Sequence, residues 1–379
     1  MVITLKIFAF VLITTYVLYI MKMYRGLLFA RKSVFLPSND SIKISVIIAF
    51  RNEEENIISC LESIQKQNYS QQDFEIILSN DHSEDKSVEL VNQFILANPQ
   101  LKISLVENNE LEHGKKQAIA NAVIKAQFDI LAFTDADCVV GNNWLKSIAS
   151  AYFNNKQIKM LCGPVIFQKQ KSLLEKLLSL EFASLMAVTA ASILNKNPFM
   201  CNAANMSIKK DAYLLIQKKL NEKKYASGDD VFLLHHVKKQ FGSNSISFMY
   251  QKEALVHTLV PQNIYSFINQ RIRWSSKTMG YNDVFALFSA YLVFIVCTTI
   301  ASGIIFSFFY GKLIRLFVAL FLIKTLVDTL LLHQILILLQ RKELLKWIFI
   351  EQLLYVFYVP IIALISLKKT YQWKGRRIR

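Results

Sequence analysis

The chain has 379 residues and a formal net charge of +16, and 53% of its residues are hydrophobic while only 19% are charged. Its 10 glycines and 6 prolines are too few for a collagen-like or disordered chain, and its 27 phenylalanines indicate a packed core. Soluble domains carry about 25% charged residues. The composition therefore excludes an ordinary soluble protein and indicates a membrane protein that carries a soluble domain.

The N-terminal segment is predicted to cross a membrane. Residues 2–21 are apolar apart from Lys6, and a helix of this length, rising about 1.5 Å per residue, spans a hydrocarbon core of about 30 Å. Lys22 and Arg25 follow directly, and basic residues beside a span favour the cytoplasmic side. We therefore predict an anchor over residues 1–22, with its N-terminus outside and the following residues in the cytoplasm.

Residues 40–280 are polar enough to form a soluble domain and alternate between strand-like and helix-like runs. Such alternation predicts a parallel sheet with crossover helices, in which ligands bind beyond the carboxyl ends of the strands. We expect one cytosolic α/β domain over this section. The strand-like runs are 43–50, 74–81, 102–107 and 129–137, and the helix-like runs include 87–98.

Acidic residues stand at the ends of two of these predicted strands. Asp81 ends the second strand, and Asp135 and Asp137 end the fourth. Residues two apart in an extended stretch point the same way, so Asp135 and Asp137 are expected to share one site. Two adjacent carboxylates repel unless a cation or hydrogen-bond donors neutralise them, and such oxygen ligands suit Mg²⁺ or Mn²⁺ completed by a diphosphate. The alternative is an ordinary exposed acidic turn.

A second acidic motif, Asp229-Asp230, follows Gly228 and precedes a run with helical apolar spacing. Acids at a helix start also serve as caps, because the helix dipole favours negative charge there. Capping accounts for one of the two acids, and a catalytic role for the other stays open at this point.

The motif QRIRW lies just before the C-terminal apolar block. On a helix, its residues Gln270, Arg273 and Trp274 fall on one face, because they are three and four positions apart. The alternative interpretation is a pair of membrane-interface anchors, for which arginine and tryptophan are usual.

The C-terminal block, residues 284–367, is predicted to hold two to three spans. Its apolar segments are 284–310, 313–339 and 344–367. Three crossings would place the basic tail, residues 368–379, outside, against the tendency of basic residues to stay inside. We therefore expect one segment, 313–339 or its neighbour, to lie in the interface or to re-enter. The placement of basic residues beside spans also favours a membrane partner over a nucleic acid.

Two features of the apolar segments need an explanation. Lys324 and Asp328 are four residues apart, which predicts a local ion pair rather than a proton or ion path. The helix-like stretch 172–194 is apolar but holds three charges. We expect it to pack beside the entrance to the ligand site or in the interface rather than to cross.

Taken in order, these motifs resemble the membrane-bound family 2 glycosyltransferases, which include the cellulose, hyaluronan and poly-N-acetylglucosamine synthases. The resemblance covers about residues 42–280. It implies an α/β fold class: a GT-A, Rossmann-like nucleotide-sugar-binding domain flanked by transmembrane helices. The segments that carry it are SVIIAFRNEEENI, SNDHSEDKS, HGKKQAIANA, TDADC, CNAANMSIKK, GDDVFLL and QRIRW. Two of them depart from the usual pattern, with Asn80-Asp81 in place of paired aspartates and Asp229-Asp230 in place of Glu-Asp.

The resemblance also implies roles for individual residues. Asp230 aligns with the catalytic base and Asp229 with the acid before it, while Asp137 aligns with the metal ligand. Gln270 and Trp274 align with an acceptor-binding box. The implied donor-binding residues are Asn52, Glu53, Asp81, Lys115, Asp135 and Arg273, of which Asp135 contacts the ribose or shares the metal.

The resemblance predicts a metal-dependent, inverting enzyme of the cell (inner) membrane with a cytoplasmic catalytic domain. It would move a sugar from a nucleotide sugar, expected to be a UDP-sugar, to a lipid-linked or growing saccharide acceptor in polysaccharide synthesis, using Mg²⁺ or Mn²⁺. Three or four spans are few for a polymer-conducting channel without partner subunits or an oligomer, and this low number favours the alternative that follows. Single-sugar transfer to a polyprenyl phosphate, ceramide or diacylglycerol is the alternative, and a non-catalytic membrane scaffold is a further one. No nucleic-acid partner is expected.

Overall fold

The computed structural model divides the chain into two compact units. The α/β unit comprises residues 31–168 and 196–259, and the helical unit comprises Met1–Ala30, Lys169–Asn195 and Val260–Arg379. Two sections of the predicted domain 40–280 therefore group with the helical unit. The structure describes residues 2–30, 42–109, 113–168, 171–220, 229–276, 280, 283–309, 311–367, 371–373 and 376–378.

The described helices and strands follow the sequence pattern closely in the first half of the chain. In chain order they are α1 (Val2–Ala30), β1 (Ile44–Phe50), α2 (Ile57–Gln65), β2 (Phe74–Asn80), α3 (Ser87–Ala97), β3 (Ile103–Glu107), α4 (Lys115–Lys125), β4 (Ile130–Phe133), β5 (Val139–Val140), α5 (Trp144–Asn154), β6 (Met160–Cys162), β7 (Val165–Phe167), α6 (Leu173–Leu194), β8 (Met206–Lys209), α7 (Lys210–Leu220), α8 (Asp229–Phe241), β9 (Ile246–Phe248), β10 (Val256–Thr258), α9 (Ile264–Ser276), α10 (Val284–Ser307), α11 (Ile314–Leu338), α12 (Ile348–Ser366), β11 (Tyr371–Trp373) and β12 (Arg376–Ile378).

A seven-stranded sheet with the order β3-β2-β1-β4-β8-β6-β9 forms the core of the α/β unit. Strands β1 to β4 pair in parallel, as predicted, while β8 runs antiparallel to both β4 and β6. All seven residues of β2 are buried, which is usual for a strand covered on both faces. A smaller sheet has the order β5-β10-β7.

The strand register fixes which loops meet at one edge of the sheet. Phe50 at the end of β1 pairs with Asn80 of β2, and Ile47 pairs with Phe133 at the end of β4. Because these strands are parallel, the loops that follow β1, β2 and β4 leave the same edge. All the acidic residues predicted to follow β2 and β4 therefore lie at that edge.

The helical unit accounts for the apolar parts of the sequence. By length and composition, its described residues hold five helices able to cross a membrane: Ile3–Phe29, Leu173–Leu194, Val284–Ser307, Ile314–Leu338 and Lys342–Ser366. The stretch that we expected beside the interface is the second of these, and most of it is buried within the unit. All three C-terminal segments reach crossing length. In length and composition these helices are typical of a membrane protein.

Two pairs of buried, oppositely charged side chains lie in the helical unit. Lys324 lies 2.7 Å from Asp328, which confirms the predicted local ion pair, and the hydroxyl of Tyr16 donates to Asp328 at 2.7 Å. Arg271 forms an ion pair with Glu181 of α6. Burying a charge without a partner is costly, so these pairs allow charged residues inside an apolar bundle. Half of the basic tail, residues 368–370, 374–375 and 379, lies outside the described residues.

Candidate active site

Asn52 and Glu53 form the turn after β1. Asn52 has a φ of 51°, in the left-handed region that asparagine adopts more readily than most residues. Its Oδ1 accepts a hydrogen bond from the Glu84 N–H at 2.8 Å, and the Glu53 N–H donates to Ser87 Oγ at 2.7 Å. These bonds join the turn after β1 to the loop after β2.

Asp81 lies directly after β2 and is only 2% exposed. Its N–H donates to the Phe50 carbonyl at 2.9 Å, and its Oδ1 accepts a hydrogen bond from the Gly114 N–H at 2.8 Å. The second carboxylate oxygen, Oδ2, has no hydrogen-bond partner among the described residues. The fold therefore holds this carboxylate in place and leaves one oxygen available to a ligand.

Gly114 sets the path of the chain between Asp81 and the lysine that follows it. Its φ of 101° belongs to the region that residues with a side chain rarely adopt. This conformation lets the glycine N–H meet Asp81 while α4 begins at once with Lys115. The Lys115 ammonium forms an ion pair with Asp135 Oδ1, and the two side chains are 37% and 32% exposed.

Asp135 and Asp137 lie in a turn rather than in a strand, because β4 ends at Phe133. The turn closes through a hydrogen bond from the Cys138 N–H to the Asp135 carbonyl at 3.0 Å, and the Cys138 thiol donates to Asp137 Oδ1 at 3.5 Å. We predicted that the two side chains point the same way because they alternate along a strand, and this reason is wrong. The turn positions the two aspartates instead.

Asp230 is the second residue of α8, in the α/β unit. Its Oδ2 accepts a hydrogen bond from the Ala203 N–H at 3.3 Å, and its Oδ1 accepts one from the Val231 N–H at 2.9 Å. The CNAAN segment therefore contacts this carboxylate through its backbone. Asp229 is the first residue of α8, and its side chain lies outside the described residues.

The negative charges of three carboxylates act on the Lys115 ammonium. Burial of Lys115 lowers its pKa. The negative charges of Asp135, Asp137 and Asp230 together raise the pKa by more than burial lowers it, so it lies above its usual value. Asp135 and Asp137 follow β4, whereas Asp230 lies at the start of α8, far away in the sequence. The structure thus brings together four of the residues that the sequence singled out.

The pKa of Asp137 is also raised by its surroundings. Burial raises the pKa of Asp137 to about 6, with contributions from the carboxylates of Asp135 and Glu53. A buried carboxylate beside other carboxylates is stabilised by a cation, and its oxygens are ligands that hard cations prefer. Asp135 and Asp137 therefore fit Mg²⁺ or Mn²⁺.

The predicted acceptor-binding box lies on α9 of the helical unit. Gln270, Arg273 and Trp274 are all half-buried there. Between them, Arg271 is 4% exposed; it donates to Gln270 Oε1 at 2.8 Å, and its guanidinium lies 4.3 Å from the centroid of the Trp274 ring. The contributions of these residues to acceptor or diphosphate binding stay predictions.

Sequence reasoning missed three residues of interest, Arg271 and the histidines His82 and His113. A buried acid in the apolar helix α6 was a signal for Arg271, because Glu181 needs a cation there. The histidines adjoin Asp81 and Gly114 in the sequence, but nothing in that pattern indicates that their rings meet, with centroids 4.5 Å apart.

Two family models match this chain. The family described as Glycosyl transferase family 2 matches residues 45–214, and Glycosyl transferase family group 2 matches residues 130–367, which is more than half of the chain. The chain belongs to the family 2 glycosyltransferases. The predicted family resemblance is therefore confirmed, and the chain is an enzyme of the glycosyltransferase class.

Curated relatives of this glycosyltransferase match parts of it. It is 25% identical over 232 residues to the poly-beta-1,6-N-acetyl-D-glucosamine synthase of Staphylococcus epidermidis, which covers 61% of this chain and 53% of the relative. It is 34% identical over 103 residues to Glycosyltransferase AglE of Haloferax volcanii, covering 27% of this chain and 33% of the relative. The chain thus spans about half or less of the length of these relatives.

A solved structure with the same fold is a mannosyltransferase from Pyrobaculum calidifontis in complex with GDP-Man and Mn²⁺. The TM-score is 0.57 at 14% identity, with 96% of this chain and 97% of the other covered. The likeness confirms the predicted α/β fold of the GT-A type with accompanying apolar helices.

Proposed function

We propose that this glycosyltransferase is a membrane-bound, metal-dependent, inverting enzyme that transfers a sugar from a nucleotide sugar to a lipid-linked or growing saccharide acceptor. The observation that carries the proposal is the ion pair of Lys115 with Asp135 at the carboxyl edge of the sheet, with Asp137 in the same turn and with the charge of Asp230 also acting on Lys115. Ligands of such sheets bind at this edge. A nucleotide diphosphate and a divalent cation together suit a site that holds both carboxylates and an ammonium.

Each residue on the donor side of the proposed site is assigned its own role. The free oxygen of Asp81, in the loop tied to Asn52 and Glu53, would hold the nucleotide base. Asp137, with Asp135, would hold Mg²⁺ or Mn²⁺, which when bound supplies positive charge beside the diphosphate. Lys115 would exchange its partner Asp135 for the diphosphate and stabilise the charge that develops as it leaves.

The acceptor hydroxyl loses its proton as it attacks, so a base must stand beside it. Asp230 is the carboxylate that we assign to this role, because its charge acts on Lys115 and its side chain is only half-buried. The acceptor oxygen forms a bond to the anomeric carbon while the bond to the diphosphate oxygen breaks. The proton passes to Asp230, the nucleoside diphosphate leaves, and a single displacement of this kind inverts the anomeric centre.

The nature of the acceptor rests on the relatives and on the apolar helices. A poly-N-acetylglucosamine synthase among the relatives supports a growing saccharide, and the five apolar helices support a membrane-held acceptor. The basic residues Lys22 and Arg25, which follow the apolar segment 2–21, support a cytoplasmic catalytic domain at the cell membrane. Single-sugar transfer to a lipid is the second candidate, and the size of the product separates the two.

Nucleotide release by the purified full chain in lipid, with lipid extract as the acceptor source, tests this function. A panel of UDP- and GDP-sugars is compared with Mg²⁺, with Mn²⁺ and with EDTA, using Asp137→Asn and the matched control Asp211→Asn. Asp211 pairs with Lys159 and its side chain is 68% exposed. We expect release from one donor that requires metal, is lost in Asp137→Asn and persists in Asp211→Asn. Equal release with EDTA, or in Asp137→Asn, would contradict the proposal.

A further inference from the structure

Three side chains with metal-ligating groups meet beside β2, apart from the Asp135–Asp137 turn. Asp81 directly follows β2, and His82 is the next residue. His113 lies just before Gly114. One ligand atom from each of the three side chains lies within 4.8 Å of the other two. His82 Nδ1 is 3.5 Å from Asp81 Oδ1.

Polar atoms in this group are buried without hydrogen bonds. Asp81 Oδ2 and both ring nitrogens of His82 have no hydrogen-bond partner among the described residues. Buried polar atoms are rarely left in this state, because each one has given up its hydrogen bonds to water without gaining a partner. The group therefore needs a ligand that accepts lone pairs from a carboxylate and an imidazole together.

The backbone holds the group in place. His82 has a φ of 58°, a conformation uncommon for residues other than glycine. Asp81 is anchored through the Gly114 N–H, and this bond brings the neighbouring His113 to the same place. The His113 side chain is exposed, so it is free to rotate toward an ion.

We propose that Asp81, His82 and His113 form a binding site for a transition-metal ion of the Zn²⁺, Co²⁺ or Ni²⁺ type. Two imidazole nitrogens and one carboxylate oxygen are the ligands that such ions prefer, whereas Mg²⁺ prefers oxygen alone. Three protein ligands leave one position for water. The ion satisfies the free oxygen of Asp81 and one ring nitrogen of His82.

The site has a consequence for the donor, which rests on the proposed function. Asp81 is the residue that we assign to the nucleotide base, and it cannot serve the base and a metal ion through the same oxygen. Zn²⁺ at this site therefore competes with the nucleotide. The Mg²⁺ or Mn²⁺ that supports transfer uses different side chains, so inhibition by Zn²⁺ and activation by Mg²⁺ are separable.

Titration of Co²⁺ into the metal-stripped full chain in detergent tests the site. The Asp137→Asn background removes the Asp135–Asp137 turn from the measurement, and calorimetry together with visible absorption reports binding. We expect one saturable ion. His82→Gln and His113→Gln should each weaken the Co²⁺ affinity on the order of 100-fold, because each removes one of three ligands.

His236→Gln is the matched control. His236 lies on α8 and its Nδ1 is 2.7 Å from the Phe232 carbonyl, so its loss should leave the Co²⁺ affinity unchanged. His113 is exposed, and its variant keeps the test valid even where His82→Gln does not fold. Absence of saturable Co²⁺ binding, or an affinity that neither His82→Gln nor His113→Gln changes, would overturn the site.

A second arm measures binding of the free nucleoside diphosphate with and without Zn²⁺. Zn²⁺ should raise its apparent Kd in the natural sequence and have no effect in His113→Gln. If the nucleotide does not bind at all, the proposed function fails while the Co²⁺ result still decides the metal site. If the nucleotide binds and Zn²⁺ leaves its Kd unchanged, the proposal that Zn²⁺ and the nucleotide compete for Asp81 is wrong.

Discussion

The two units use the same kind of ion pair in opposite surroundings. In the α/β unit, Lys115 and Asp135 are 37% and 32% exposed, whereas Arg271 and Glu181 in the helical unit are 4% and 9% exposed. An exposed pair contributes at most about 1 kcal/mol and opens readily. Removing one partner of a buried pair leaves the other charge uncompensated, which destabilises the fold by about 3–5 kcal/mol. The first pair is suited to exchange partners with a ligand, and the second to hold helices together.

Lys324 and Asp328 extend this contrast. Their side chains are 0% and 11% exposed, and Lys324 also donates to Gln352 of α12. This pair therefore links α11 to α12 rather than facing solvent. The difference teaches that accessibility, more than residue type, separates the charges that act on a ligand from those that hold the fold.

The largest effect is expected for Asp230→Asn in the accessible candidate active site. The substitution keeps the shape of the side chain but removes the proton acceptor, so kcat should fall about 10²- to 10⁴-fold. The KM for the donor should stay within a few-fold, because Asp230 acts on the acceptor. Steady-state kinetics of nucleotide release measure both. A loss confined to KM would contradict the assignment as base.

Removal of a buried charge should act on stability instead. Arg271→Met leaves Glu181 buried without a cation, and the free energy of unfolding should fall by about 3–5 kcal/mol. The double variant Arg271→Met with Glu181→Leu serves as control. It should recover most of this loss, because no charge remains unpaired. Denaturant unfolding in detergent measures both variants, and equal losses in the two would contradict the comparison.

Metal affinity should depend on pH through Asp137. Its pKa of about 6 means that a proton occupies the carboxyl increasingly as the pH falls below 6, and a protonated carboxyl binds metal poorly. The Mn²⁺ affinity should therefore fall up to about tenfold per pH unit below pH 6 and stay nearly constant between pH 7 and 8. Calorimetric titration at several pH values measures it. A flat profile down to pH 5 would contradict the raised pKa.

A smaller effect is expected for Gly114→Ala. The φ of 101° is strained for alanine, so stability should fall by about 1 kcal/mol and the contact with Asp81 should weaken. Gly242→Ala, at a φ of 81° in a turn, is the matched control. Both variants should lose stability, but only Gly114→Ala should lose donor affinity. Similar donor affinities would show that this glycine has no part in the site.

Much of the α/β unit could be predicted because its signals are local. The buried runs of β1 and β2 and the loops that follow them are continuous in the sequence. Parallel pairing then places Asp81 and Asp135 at one edge without further information. The geometry of the Asp135–Asp137 turn was not predictable, since a strand and a turn leave the same short acidic pattern.

The remaining features depend on residues that are distant in the sequence. Arg271 and Glu181 are 90 positions apart, and His82 meets His113 only because Gly114 bonds to Asp81. Apolar periodicity indicates which residues of a helix are buried, but not which charge on another helix meets them. For the same reason, the sequence did not separate the sections 169–195 and 260–280 from the predicted domain.

Binding of Mn²⁺ with and without a nucleoside diphosphate tests the central claim most directly. The full chain and its Asp137→Asn variant are titrated with Mn²⁺ while the free ion is followed by electron paramagnetic resonance. The proposed site predicts that the nucleotide tightens Mn²⁺ binding in the natural sequence, because its diphosphate completes the ligands of the ion, and that Asp137→Asn abolishes this coupling. Equal Mn²⁺ affinity in both proteins, with or without nucleotide, would contradict the assignment of the acidic cluster as the catalytic centre.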